Sequence, residues 1–212
     1  AAMTDPSRSA AVARALLDAG SGTLRPDDPV TFKSGLRSPV YVDNRRIIFQ
    51  PAPWRTVVEA FVAELPATDV VIAGVESAGI PHSRALAFSA GRPSVFVSKA
   101  DKEHGLTRRI EGGDVDGHRT ILVEDMVTTG GSSLSAVEAL REAGADVRDC
   151  FAIITYGFAE ALEAFAAAEV ALTTLTTFET VVAEALGRGT IDEREARLVR
   201  SWLADPRAWD DR

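Results

Sequence analysis

The sequence predicts an α/β fold: a doubly wound, mostly parallel sheet of about five strands flanked by helices, with a small N-terminal cap. Three observations carry this. Short segments dominated by continuous apolar runs, such as 69–75 (DVVIAGV), 119–123 (RTILV) and 147–155 (VRDCFAIIT), read as strands buried on both faces. They alternate with stretches whose apolar residues recur at helical spacing, the pattern of strand–helix–strand crossovers. The chain, at 212 residues and 46% hydrophobic, is large enough to cover such a sheet on both sides.

Taken in order, residues 6–20 form a helix that stops at Gly20. Proline and aspartate crowd 26–29, and strand-like pieces follow at 30–32 and 40–42. Pro51 and Pro53 open a second helix that runs to about residue 65. The middle then alternates: strand 69–75, helix 80–90, strand 94–97, strand 119–123, helix 132–143 and strand 147–155. A helix near 158–168, a strand near 170–175 and helices near 177–187 and 192–204 complete the chain. Residues 1–50 are too irregular for the sheet and are expected to form the cap.

Composition narrows the function. A net charge of −8 excludes a broad nucleic-acid footprint, which needs clustered positive charge. No apolar run approaches the roughly 20 residues of a membrane helix, and the N-terminal stretch has no secretory apolar region. Cys150 is the one cysteine, which rules out a disulfide framework and a cysteine zinc site. A cytoplasmic protein is expected. Of 23 basic side chains only three are lysines, Lys33, Lys99 and Lys102.

Chemistry concentrates in 120–134, T-I-L-V-E-D-M-V-T-T-G-G-S-S-L. Buried residues 121–123 deliver Glu124 and Asp125 to the carboxyl end of a strand, the edge where open α/β sheets bind ligands. Thr128, Thr129, Gly130, Gly131 and Ser132 then lead into a helix. Glycines let the backbone curl so that N–H groups and hydroxyls converge on an anion at the helix N-terminus. No G-x-x-x-x-G-K-[ST] or G-x-G-x-x-G motif occurs. Two acids beside such a cradle suit ribose hydroxyls or a share in holding Mg²⁺. The stretch reads as a receptor for a sugar phosphate.

V-E-D-M-V-T-T-G-G-S resembles the phosphoribosyl-diphosphate (PRPP) motif of the type I phosphoribosyltransferases. Two further segments resemble the orotate branch. Residues 32–45, F-K-S-G-L-R-S-P-V-Y-V-D-N-R, are similar to its N-terminal motif, and K-x-x-K-x-H-G within 98–113 is similar to its mobile catalytic loop. Residues 72–81 (IAGVESAGIP) resemble the family's strand and turn beside the diphosphate. His82 and His118 fit no constellation.

The resemblance implies one phosphoribosyltransferase domain over 1–212, with helix and cap at about 1–50, a PRPP-binding core at 66–176 and C-terminal helices at 177–212. It implies transfer of ribose 5-phosphate from PRPP to orotate. Lys99, Lys102 and His104 would be catalytic and would bind PRPP, together with Glu124, Asp125, Met126, Val127, Thr128, Thr129, Gly130, Gly131 and Ser132. Lys33, Tyr41 and Thr128 would bind orotate. Mg²⁺ would be held mainly by PRPP, with Asp125 as the candidate protein ligand. The partner would be a second copy, reached by the catalytic loop, with no nucleic acid and no membrane involved. Two departures stand out. Ser98 occupies a position where many members carry arginine, for which Arg108 or Arg109 is the candidate substitute, and Tyr156-Gly157-Phe158 replaces an arginine placed for the orotate carboxylate. A transferase for another base, a member without catalysis and a PRPP-sensing regulator are the competing readings, separated by an assay against a panel of bases.

Overall fold

The structure is a computed structural model that describes residues 2–25, 28–31, 37–98, 109–206 and 209. The first elements are β1 (Ala2–Met3), α1 (Pro6–Asp18), β2 (Gly22–Leu24), β3 (Val30–Thr31), β4 (Arg37–Ser38) and β5 (Val40–Val42). A 3-10 helix (Asn44–Phe49) leads into α2 (Pro51–Glu64), β6 (Val71–Val75), α3 (Gly79–Ala90), β7 (Ser94–Val97) and β8 (Ile110–Glu111). Then come β9 (Arg119–Val127), α4 (Gly131–Glu142), β10 (Asp146–Thr155), α5 (Ala159–Ala167), β11 (Ala171–Thr177), α6 (Phe178–Gly187) and α7 (Glu193–Ala204).

Local chemistry explains the boundaries. Asp5 caps α1, accepting from the N–H of Ser7 at 3.0 Å and of Arg8 at 3.2 Å, with Pro6 in the first turn. Gly91, at φ 62°, closes α3 in a left-handed turn. Asp192 and Glu195 form a reciprocal capping box that starts α7.

The central sheet has the order β1-β11-β10-β9-β6-β7-β8. Its five inner strands, β11 to β7, are parallel, as the doubly apolar runs require. The two-residue strands at either edge are additions: β1 pairs parallel to β11, and β8 antiparallel to β7. Helices cover both faces. One core joins α1, α2, α3, α6 and α7 through residues such as Leu16, Phe61, Leu86, Val182 and Trp202. The other joins α4 and α5 through Val137, Leu140 and Phe165. The N-terminal stretch therefore divides. The ribbons β2–β5 and β3–β4 form the cap, whereas α1 is packed into the core. The indole N–H of Trp202 ties α7 to the cap by donating to the carbonyl of Arg37 at 2.8 Å.

His82 belongs to this packing. It is fully buried on α3, its Nδ1 accepts from the indole N–H of Trp54 at 3.2 Å, and its Nε2 has no partner among the described residues. Burial alone lowers its pKa to about 4. The unfolded chain, titrating near 6.5, binds more protons between these values, so stability is complete above pH 6.5 and falls as pH drops toward 4. At ~1.4 kcal/mol per unit, the loss reaches about 3 kcal/mol. Urea unfolding at pH 7, 5.5 and 4 should show this slope, and His82→Gln should flatten it; equal slopes in both proteins would refute the assignment.

Candidate active site

The order in which the chain adds strands reverses between β6 and β9. From β6 the chain moves one way to β7, and from β9 it moves the other way to β10 and β11. Such a switch point opens a crevice at the carboxyl ends of the two strands. The ladders make the crevice deeper. β9 pairs with β6 only as far as Val123, opposite Gly74, yet it stays paired with β10 as far as Val127, opposite Thr155. The strand thus runs four residues past the predicted 119–123, because β10 continues beside it. Glu124, Asp125, Met126 and Val127 lie on this overrun. The turn after β6 packs against its base: a Cβ on Gly79 would stand 2.5 Å from the carbonyl of Val123, so only glycine fits there.

The overrun carries the acid pair. Glu124 is buried; its Oε1 accepts from the N–H of Asp125 at 3.1 Å and its Oε2 from the hydroxyl of Ser132 at 3.4 Å. Burial pushes the Asp125 carboxyl above its usual range, opposed by hydrogen bonds from Glu124 and the N–H of Met126 and by the Arg45 charge. The pair presents carboxylate oxygens, the donor type that suits hydroxyl groups or one hard cation completed by ligand oxygens.

Beyond Val127 the chain turns through half-buried Thr128 and exposed Thr129 to Gly130, which has φ 86° and begins α4. No side chain caps this helix, so the N–H groups of its first turn, beside Ser132, are left to a ligand or water. The base of the loop is fixed by the Thr155 hydroxyl, which donates to the carbonyl of Val127 at 3.1 Å.

Two residues without an assigned role in the sequence reading join the site from the 3-10 helix. Asn44 is buried and its Nδ2 donates to the carbonyl of Asp125 at 3.0 Å, while its Oδ1 has no partner among the described residues. Arg45 is held by Asp43 through Nε at 2.6 Å and Nη2 at 3.1 Å, and its charge acts on Asp125. The D-N-R triplet was the available signal, an Asx cap followed by a cation. Tyr41, 41% exposed on β5, lies within electrostatic reach of Arg45 and of Tyr156.

Tyr156 is not a polar substitute for the missing arginine. It is buried, stacked on Phe178 at 4.3 Å and on Phe158 at 5.3 Å, and edge-on to Trp202 at 5.4 Å. Burial pushes its phenol far above the ordinary range. Tyr156 and Phe158 form an aromatic wall with Phe178 and Trp202. Lys33, Lys99, Lys102 and His104 lie outside the described residues. Among the described residues, no three His, Cys, Asp or Glu side chains gather as a metal site.

The chain is similar to known proteins in sequence and in fold. The family model described as "Phosphoribosyl transferase domain" matches residues 56–174. A protein of Bacillus caldolyticus named orotate phosphoribosyltransferase is 39% identical over 203 residues, 93% of this chain and 97% of its own length. The crystal structure of orotate phosphoribosyltransferase from Aeropyrum pernix superposes with a TM-score of 0.73 at 29% identity, over 84% of this chain and 99% of that one. The Mycobacterium tuberculosis orotate phosphoribosyltransferase, crystallised in complex with PRPP, matches with a TM-score of 0.64 at 26% identity, over 82% and 98%.

The loop geometry separates its two glycines. A Cβ on Gly130 would meet the Phe165 ring at 2.9 Å in a left-handed backbone, whereas one on Gly131 would meet nothing within 4 Å. Gly130→Ala should therefore cost about 1–3 kcal/mol of unfolding free energy, and Gly131→Ala less than ~0.5. Equal effects in chemical denaturation would contradict this reading of the loop.

Proposed function

This chain belongs to the orotate phosphoribosyltransferases, and we propose that it transfers ribose 5-phosphate from PRPP to N1 of orotate, forming orotidine 5′-monophosphate and diphosphate for pyrimidine nucleotide synthesis. The observation that carries this is the acid pair Glu124-Asp125 on the β9 overrun, directly beside the uncapped N-terminus of α4. An anion cradle and two hydroxyl acceptors side by side match a ribose 5-phosphate.

In this reading Thr128, Thr129, Gly130, Gly131 and Ser132 hold the 5-phosphate through backbone N–H groups and hydroxyls. Met126 and Val127 supply the backbone between cradle and acids. Glu124 and Asp125 accept from the two ribose hydroxyls and fix the ring. The bond from the anomeric carbon to diphosphate breaks with its electrons leaving on diphosphate, and N1 of orotate, whose N–H proton passes to solvent or to the departing diphosphate, forms the new bond to that carbon. Positive charge that gathers on the departing group in a dry site lowers the barrier. Lys99 and Lys102 provide it, and His104 donates a hydrogen bond or a proton. Lys33, Tyr41 and Thr128 receive orotate, the phenol ring of Tyr41 offering a face to the flat base.

The donor set fits a magnesium ion carried mainly by substrate oxygens. Asp125 offers hard carboxylate oxygen, and the rest of an octahedral shell is left to ligand and water. When bound, the ion supplies charge for the leaving diphosphate. The proposed partner is a second copy of the chain. Supporting this, Phe88 is 92% exposed beside a groove of about 970 Å³ between α2 and α3, lined by Ile48, Trp54, Val58 and Val62. No described helix is long and apolar enough to cross a membrane, and we assign the enzyme to the cytoplasm with its charged substrates.

The test is incubation with Mg-PRPP and orotate, uracil, adenine or guanine in turn, following loss of each base's absorbance. Orotate alone should be consumed. Turnover of another base instead would make this a different transferase, and no turnover of any base would refute catalysis.

A further inference from the structure

Ser98 and Arg109 are the described residues on either side of 99–108, the segment that carries two of the three lysines. Their backbones meet: the N–H of Ser98 donates to the carbonyl of Arg109 at 2.8 Å. The Arg109 side chain closes the same junction from the other direction, its Nε donating to the carbonyl of Ser98 at 3.1 Å. The guanidinium then reaches onto α4, where Nη1 donates to the carbonyl of Ser135 at 3.2 Å and Nη2 to its hydroxyl at 3.2 Å. One planar group thus joins both ends of the segment to the helix whose first turn forms the cradle. It also walls a cavity of about 220 Å³ together with Val75, Val97, Ser98 and Ser132.

The chemistry singles out arginine here. Three acceptors lie in different directions around the group, and a guanidinium presents five donors in a rigid fork. An ammonium on a flexible stem would satisfy one of them. Ser98 is buried, so without Arg109 its carbonyl would lose a charge-assisted bond with little water to replace it.

We propose that Arg109 is a positioning residue: it fixes the base of segment 99–108 relative to the phosphate cradle on α4, and so sets where the segment's cations act. This rests on the reading that Lys99 and Lys102 supply charge to PRPP. The effect passes through those side chains rather than through a contact between Arg109 and substrate, and a displacement of about 1 Å in such a group is enough to cost ~100-fold in rate.

The experiment is steady-state kinetics on the full chain, with thermal midpoints, for wild type, Arg109→Gln, Arg109→Lys, Ser135→Ala, Lys102→Ala and the doubles. Arg109→Gln should lower kcat/KM for PRPP at least ~10-fold, with KM for orotate within about twofold and the thermal midpoint within a few degrees. Arg109→Lys should restore little. Ser135→Ala should give a smaller loss in the same parameter that does not add to that of Arg109→Gln. In the Lys102→Ala background Arg109→Gln should cost clearly less than in wild type, because one of the two cations it positions is gone. Normal kinetics in Arg109→Gln, or a loss that multiplies fully with Lys102→Ala, would overturn the proposal. So would a loss that only follows a falling midpoint; if Arg109→Gln fails to fold, Ser135→Ala decides by the same split. A wild type that does not turn over orotate overturns both this and the functional reading, whereas an active wild type beside an equally active Arg109→Gln overturns this one alone.

Discussion

The carboxyl edge of the sheet depends on where the β6–β9 ladder stops. Pairing ends at Gly74 opposite Val123, while β9 and β10 stay together to Val127 and Thr155. Four residues of β9 are left with one strand neighbour in place of two, and the open side is where the acid pair stands. Gly79 permits the arrangement at the stop, since its missing side chain lets the turn after β6 sit against the Val123 carbonyl. A longer β6 would fill the crevice; a shorter β10 would let the overrun fray.

Holding carboxylates there has a cost. A buried carboxylate without partners is destabilising by several kcal/mol, so its protonation and its neighbours must be arranged together. Glu124 receives the Asp125 N–H and the Ser132 hydroxyl, which also ties the acids to the first turn of α4. Asn44 holds the Asp125 backbone from a segment 81 residues earlier. The cap is thereby coupled to the core at the point where chemistry is proposed, and Arg45 comes with it. The elements behind the site are the opposite in character: two largely apolar layers on a parallel sheet, crossed by hydrogen bonds such as that from Trp54 to His82.

Much of this was legible in the sequence, for identifiable reasons. The five inner strands announce themselves because strands buried on both faces are apolar throughout, and the acid pair and glycine loop stand out against them. The last four residues of β9 were not legible as strand, since E-D-M-V reads as the start of a site and only the neighbouring strand decides that pairing continues. Strands β1 and β8 are two residues long and carry no periodicity. Asn44 and Arg109 act through contacts 81 and 26 residues away along the chain, which no local pattern encodes. His82, which fitted no constellation, is accounted for by Trp54 across the α2–α3 packing.

The claim on which the functional reading turns is that Glu124 and Asp125 recognise the ribose of PRPP independently of any base. Isothermal titration of Mg-PRPP into the wild-type chain, Glu124→Gln and Asp125→Asn, with no base present, tests it directly. Binding to the wild type, weakened at least ~10-fold (about 1.4 kcal/mol) in each isosteric variant, is the predicted result. Unchanged affinity in both variants would contradict it.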